Sequence, residues 1–159
     1  MKKLFLLTIV CIGFTTLLNA QDIYPNALGL RLGDSDGFGA EVSYQRALGD
    51  INRLEFDLGW RSGNHYDGFK IAGLYQWVWL IDGDFNWYAG VGGGLASFSG
   101  SGPDYDYSST NVFAAGDIGI EYNFDIPLQM SLDFRPEFGN NKFTDNTQFD
   151  IALGIRYQF

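Results

Sequence analysis

From about residue 27 the chain alternates apolar and other positions with a period of two, the pattern of β-strands whose two faces meet different surroundings. The first segment sets Leu28, Leu30 and Leu32 against Gly29, Arg31 and Gly33. The second sets Phe38, Ala40, Val42 and Tyr44 against Gly39, Glu41, Ser43 and Gln45. A third opposes Leu54, Phe56, Leu58 and Trp60 to Glu55, Asp57, Gly59 and Arg61, and a fourth runs from Phe69 to Trp79 against Lys70, Ala72, Leu74, Gln76 and Val78. Trp87 to Leu95 make the fifth, Val112 to Tyr122 the sixth, Leu128 to Phe134 the seventh and Phe149 to Phe159 the eighth. Eight such segments predict an all-β fold, an eight-stranded antiparallel up-and-down barrel. Segments of about ten residues are also long enough to cross a bilayer at a tilt.

The connections alternate in kind. Those near Gly49-Asp50, Asp82-Gly83-Asp84 and Asp125-Ile126-Pro127 are tight, whereas those around Asn64-His65, from Ser99 to Asn111 and from Asn140 to Thr147 are longer and more polar. Asp34 to Gly37 is short and departs from this trend. The stretch Ser99 to Thr110, rich in Ser, Gly, Asp and Tyr, reads as a flexible surface loop. Pro136 cannot donate to a ladder and predicts a bulge or the rim of strand seven.

Alternation alone fits an apolar face turned inward or outward, and volume decides between them. The apolar face carries all four Trp, while an eight-stranded interior has room for little more than its own side chains. The other face is made of Gly, Ala, Ser and charged residues, which suits a narrow lumen. The aromatics support the outward choice. Tyr44, Trp77, Trp79, Trp87, Tyr122, Tyr157 and Phe159 fall beside the short turns or the C-terminus, and Phe38, Trp60, Phe69, Phe138 and Phe149 beside the longer loops. Between them lie Val42, Leu58, Ile71, Val91, Ile118, Leu132, Ile151 and Leu153. Two aromatic belts around an aliphatic band are the signature of a transmembrane barrel. On this assignment Arg at Leu153 or Ile118 would lie in hydrocarbon. Arg at Gly154 or Gly119 would project into the lumen, near Asp150 or Glu121, and be tolerated better despite some crowding.

The first twenty residues differ from the rest. Lys2 and Lys3 precede an apolar run from Leu4 to Leu18, too short for a permanent anchor, and Asn19-Ala20 follow. This order is that of a secretory signal peptide, with cleavage expected after Ala20, giving a signal segment over 1–20 and a barrel domain over 21–159. Cys11 is the one cysteine in the chain, and Thr8-Ile9-Val10 before it lack the small residues of a lipoprotein signal. The mature chain would then have no thiol, which excludes disulfides, thiolate metal sites and a cysteine nucleophile. Loss of the two lysines moves the formal charge from −9 to −11. With no Lys or Arg cluster, nucleic acid is excluded as a partner. The mean hydropathy of −0.07 is equally compatible with a secreted soluble protein and a membrane barrel.

Taken together, these segments resemble the small outer-membrane β-barrel families, the porin-like or OmpA/OmpX-type eight-stranded barrels, over essentially all of the mature chain. The most specific element is the last strand, with Ile151, Leu153, Ile155, Tyr157 and Phe159 at every second place. The resemblance implies residence in the outer membrane of a Gram-negative bacterium, with its lipid as the surrounding partner. It also implies recognition of the C-terminal strand, ending at Phe159, by the barrel-assembly machinery. A monomer is expected, with both mature termini on the periplasmic side.

The lumen-facing charges are Arg31, Glu41, Glu55, Asp57, Arg61, Lys70, Asp117, Glu121, Asp133, Arg135, Glu137, Asp150 and Arg156, eight acids against five bases. They read as a hydrogen-bonded network that closes the lumen rather than as acid/base catalysts. His65, the sole histidine, lies in a polar loop without a placed nucleophile. The glycines at 90, 92, 93 and 94 precede no helix that would receive a phosphate, and they serve strand curvature or lumen space. Asp104 and Asp106 match no calcium-loop spacing. No catalytic, cofactor-binding or metal-binding residue is therefore assigned, and no cofactor is expected. The reading is a non-enzymatic structural or surface-interaction barrel; the alternatives are a narrow passive pore for small solutes or ions and a lipid-modifying outer-membrane enzyme. The N-terminal reading has a direct check: intact mass and N-terminal sequencing of the exported protein should give a chain that starts at or near Gln21, and recovery of a chain that retains Met1 would overturn it.

Overall fold

The computed structural model describes residues 23–33, 39–62, 66–102, 105–139 and 147–159. Eight strands form a closed barrel in sequence order: β1 (Asn26–Gly33), β2 (Ala40–Ala47), β3 (Asn52–Ser62), β4 (Tyr66–Asp82), β5 (Phe85–Gly102), β6 (Tyr105–Asn123), β7 (Leu128–Gly139) and β8 (Thr147–Gln158). Every neighbouring pair is antiparallel, and β1 pairs with β8 from Ala27↔Gln158 to Gly33↔Ala152. The seam is extended by two backbone bonds, from the Asn26 N–H to the Phe159 oxygen at 3.0 Å and from the Phe159 N–H to the Asn26 oxygen at 2.9 Å. The eight-stranded up-and-down barrel read from the period-two pattern is the fold observed. Phe38, Asn64, His65, Asp104, the side chains of Arg61 and Asp106, and the N-terminal segment through Asp22 lie outside the described residues.

The short connections fold as their sequences require. Between β4 and β5 a two-residue turn places Gly83 at φ +54°, a left-handed conformation that glycine adopts without the penalty a Cβ would bring. A register shift between Leu80 and Asp82 brings the strands into this turn. Around the other two turns, Leu48 N–H bonds Asn52 O at 2.9 Å and Phe124 N–H bonds Leu128 O at 2.9 Å.

Two local expectations are corrected. Residues 99–102 and 105–110 are not loop: β5 and β6 stay paired through Ser99↔Ser108 and Ser101↔Asp106 to Gly102↔Tyr105. The segment reads as a loop because its sequence carries no apolar stripe at either parity. Pro136 marks neither a bulge nor a rim. Its neighbours Ala115↔Glu137 and Ile118↔Phe134 share one register, and β7 continues to Gly139. The two intervening β6–β7 pairs are missing, and Gly116 makes room for the proline ring, since a Cβ there would lie 3.3 Å from Pro136 Cγ.

The two faces separate as alternation predicts. Lumen positions are buried, and the outer positions form a continuous apolar surface that includes Leu28, Leu30, Phe56, Leu58, Ile71, Val91, Ile118, Leu132, Ile151 and Leu153. Val112 and Trp60 retain 67% and 62% of their surface. An apolar exterior of this extent demands an apolar surrounding. No helix among the described residues is long and apolar enough to cross a membrane. Trp79 and Trp87 stack across β4 and β5 with ring centroids 4.4 Å apart, and Tyr157 stacks on Phe159, both beside the short turns. Trp60 and Phe69 form a cross-strand pair at the opposite rim.

The lumen is too full for the expected tolerance of Arg at Gly154. A Cβ at Gly154 would collide with Ser131 Oγ and the Arg156 guanidinium, and one at Gly119 would collide with the Tyr88 ring. Glycine here makes room for neighbouring large side chains, so Gly154→Arg is disruptive for a reason unrelated to lipid. Depth along the outer face of one strand is the sound comparison. Leu153→Arg, at the middle of β8, should cost about 2–4 kcal/mol of folding free energy in vesicles, against about 0–1 kcal/mol for Phe149→Arg at its rim. Urea unfolding in phospholipid vesicles measures both, and equal costs at the two positions would reject the outward assignment.

Candidate functional site

The lumen gathers the chemistry of this chain, and strand parity puts it there. Arg31 on β1 stands opposite Glu41 on β2 and the small Gly154 on β8. Its Nη1 bonds Glu41 Oε2 at 2.9 Å and Asp150 Oδ2 at 2.7 Å, and its Nε bonds Asp133 Oδ1 at 3.0 Å. Arg135 reaches from β7 across the interior to β3, where Nη1 meets Asp57 Oδ2 and Nη2 meets Glu55 Oε1, each at 2.8 Å. Arg156 on β8 donates to Glu55 Oε2 at 3.1 Å, Ser43 Oγ at 3.0 Å and Ser131 Oγ at 2.8 Å. Glu55 also accepts from Gln45 Nε2 at 2.6 Å, so one carboxylate ties together three strands other than its own.

A second set lies nearer the short turns. Arg53 Nη1 is 2.7 Å from Glu121 Oε2, its Nε donates to Gln76 Oε1 at 2.6 Å, and its guanidinium sits 4.7 Å from the centroid of the Tyr88 ring. Asn86 donates to the other Glu121 oxygen at 3.1 Å. Below this set, Gln158 donates to Asn123 Oδ1 at 2.8 Å. Toward the other mouth Lys70 Nζ contacts Glu137 Oε1 at 2.6 Å and Glu41 Oε1 at 3.5 Å. On the short-turn side of Lys70 the lumen has an apolar patch. Ala72, Leu74, Phe113 and Ala115 pack together, with Lys70 5.4 Å from the Phe113 ring and Phe113 seated over Gly94. Glycine is needed on this stretch of β5: a Cβ at Gly92 would fall on the Gly73 carbonyl oxygen of the neighbouring strand.

All the lumen charges read from the sequence and described here are buried in this network: Arg31, Glu41, Glu55, Asp57, Lys70, Asp117, Glu121, Asp133, Arg135, Glu137, Asp150 and Arg156. Arg53 belongs with them and was missed, although it occupies the lumen parity of β3 one step before Glu55. Asp117 differs from the other acids. Gln76 Nε2 donates to its Oδ2, while Oδ1 has no hydrogen-bond partner among the described residues, and Arg135 is directed instead at Glu55 and Asp57. The buried serines Ser43 and Ser131 bond the Arg156 guanidinium, a donor that cannot serve as a base. Among the described residues no group of three or more His, Cys, Asp or Glu side chains is disposed to hold a metal ion. The chemistry of the site is cross-strand cohesion.

Removing one member of a buried ion pair leaves an uncompensated charge. Arg135→Met should therefore destabilise the barrel by about 3–5 kcal/mol. Asp117→Asn removes a charge that forms no ion pair among the described residues and should cost nothing or stabilise. Denaturant unfolding of the two variants in the same detergent measures this contrast, and a loss at Asp117 as large as that at Arg135 would contradict the pairing described.

No family model matches the sequence, and no curated protein matches it either. Solved structures do match in fold. The N-terminal β-barrel domain of Pseudomonas aeruginosa OprF superposes with a TM-score of 0.67 at 14% identity, covering 84% of this chain and 95% of that one. Neisserial surface protein A (NspA) gives a TM-score of 0.61 at 13% identity over 84% and 93%. Ail, the attachment invasion locus protein of Yersinia pestis, gives 0.59 at 14% identity over 86% and 100%. At such identities the likeness is one of architecture, and it spans nearly the whole of each neighbour. The chain thus has the fold of the small eight-stranded outer-membrane β-barrels.

Proposed function

We propose that the mature chain is an integral outer-membrane protein of a Gram-negative envelope, exported through a cleaved signal segment over residues 1–20, with a non-enzymatic structural or surface-interaction role. One observation carries this reading: a continuous apolar exterior surrounds an interior filled by interlocked ion pairs. The exterior suits acyl chains. The interior argues against a passive pore, because Arg135 and Arg156 reach across it to β3, and Arg31 is bound to carboxylates on three other strands. It argues equally against lipid chemistry in the lumen, where the buried serines Ser43 and Ser131 are engaged by the Arg156 guanidinium. Function is then left to the surfaces outside the membrane. Two of the fold neighbours are described by their surface roles, NspA as a surface protein and Ail as an attachment protein, and Ail has also been solved with the heparin analogue sucrose octasulfate.

The C-terminal strand fits recognition by the barrel-assembly machinery. Tyr157 and Phe159 present stacked rings outward, while the backbone of Phe159 completes the seam with Asn26. The protein acts as a monomer in this reading. The purified protein should migrate on gels in a heat-modifiable form, co-fractionate with outer membranes and leave planar bilayers electrically silent. Recovery as a detergent-free soluble periplasmic protein would overturn the membrane assignment, and reproducible unitary conductance would reinstate the pore.

A further inference from the structure

Above the apolar band, the outward face of β3–β6 changes composition within one row of residues. The last wholly apolar row is Leu58, Ile71, Leu95 and Val112, in register across the four strands. The next is Trp60, Phe69, Ser97 and Thr110, and the one beyond it Ser62, Asp67, Ser99 and Ser108. Two aromatic rings, five hydroxyls and one carboxylate therefore share one face, directly continuous with the apolar surface below. Ser97 and Thr110 hydroxyls lie 3.0 Å apart, and Ser62 Oγ donates to Asp67 Oδ1 at 2.6 Å. The rows contain no Lys or Arg. Four strands place the ends of a row about 14 Å apart.

We propose that this face binds the uncharged sugar headgroup of an outer-leaflet glycolipid, whose acyl chains lie on the Leu58–Val112 row beneath. The proposal rests on the reading of the chain as an outer-membrane barrel, which supplies the leaflet. The residue types select the ligand. Serine and threonine hydroxyls both donate and accept, and Asp67 accepts, matching the mixed donors and acceptors of a sugar. The faces of Trp60 and Phe69 offer apolar platforms for the C–H face of a pyranose, with Trp60 the more exposed of the two. A phosphate headgroup would need cationic donors, which the rows lack, and would meet repulsion from Asp67. An acyl chain is excluded at this height by the hydroxyls. Continuity with the apolar band below fixes the occupant as a membrane-held glycan rather than a free one.

The test uses the full mature chain in phosphatidylcholine nanodiscs doped with equal mole fractions of digalactosyldiacylglycerol and phosphatidylglycerol. Native mass spectrometry of the released barrel reads which lipid stays bound. The galactolipid should be retained over phosphatidylglycerol by about tenfold, the ratio that one to two net hydrogen bonds supply. Asp67→Ala combined with Ser99→Ala should bring the ratio close to one, as should Trp60→Ala alone. All three positions lie on exposed outer surface, so the variants keep the barrel, and heat-modifiable migration verifies it. Equal retention of the two lipids by the wild-type chain, preference for phosphatidylglycerol, or a ratio unchanged in both variants would each overturn the proposal. Failure to insert into nanodiscs would instead refute the membrane reading beneath it.

Discussion

In hydrocarbon no water is available to an unpaired N–H or C=O, and each one left open costs several kcal/mol. A sheet can meet this condition by joining its own edges. Leu28 must find Tyr157, and Leu32 must find Leu153, before the chain is free of unsatisfied edges. Closing only eight strands then makes the interior narrow, and the narrowness dictates what the lumen positions can be. Small residues stand where neighbouring backbone or large side chains press inward, as at Gly92 and Gly154. The long side chains that remain must reach across rather than along. Arg135 does so from β7 to β3, linking strands that share no ladder.

The same narrowness explains why the interior is ionic rather than oily. The outer face claims the apolar positions of every strand, so alternation leaves the polar ones to fill the inside. Buried charges are costly unless paired and hydrogen-bonded. The solution seen here is multiple use of each group: Arg31 meets three carboxylates and Glu55 meets two guanidiniums and an amide. Asp117, which meets only Gln76 among the described groups, shows what an acid looks like when the cations are already committed.

Most of the architecture was legible because a single rule, side-chain parity, operates along every strand. Parity assigned the faces of Arg31, Asp133 and Arg156 correctly, and extending it by one step would have found Arg53. It could not name partners, since the contact between Arg135 and Glu55 spans 80 positions of sequence and depends on barrel closure. It also fell silent where neither parity of the sequence is apolar. Residues 99–102 and 105–110 continue β5 and β6 without any apolar stripe, so polarity suggested a loop where pairing persists. Pro136 was read from its missing N–H alone. The structure accommodates it through Gly116 on the adjoining strand, a compensation that lies 20 residues away and leaves no local trace.

The long ladders of β4, β5 and β6 also bear on the order of events in folding. Their hairpins connect residues close in sequence, through a two-residue turn at Gly83 and a connection of similar length after Gly102. Such contacts cost little loop entropy and form early. The seam between β1 and β8 joins Asn26 to Phe159, across 133 positions, and closes last. A sheet nucleated at its middle thus carries both of its exposed edges until the final step. The nascent barrel is therefore most vulnerable to mispairing at β1 and β8, the strands whose mutual recognition ends the process.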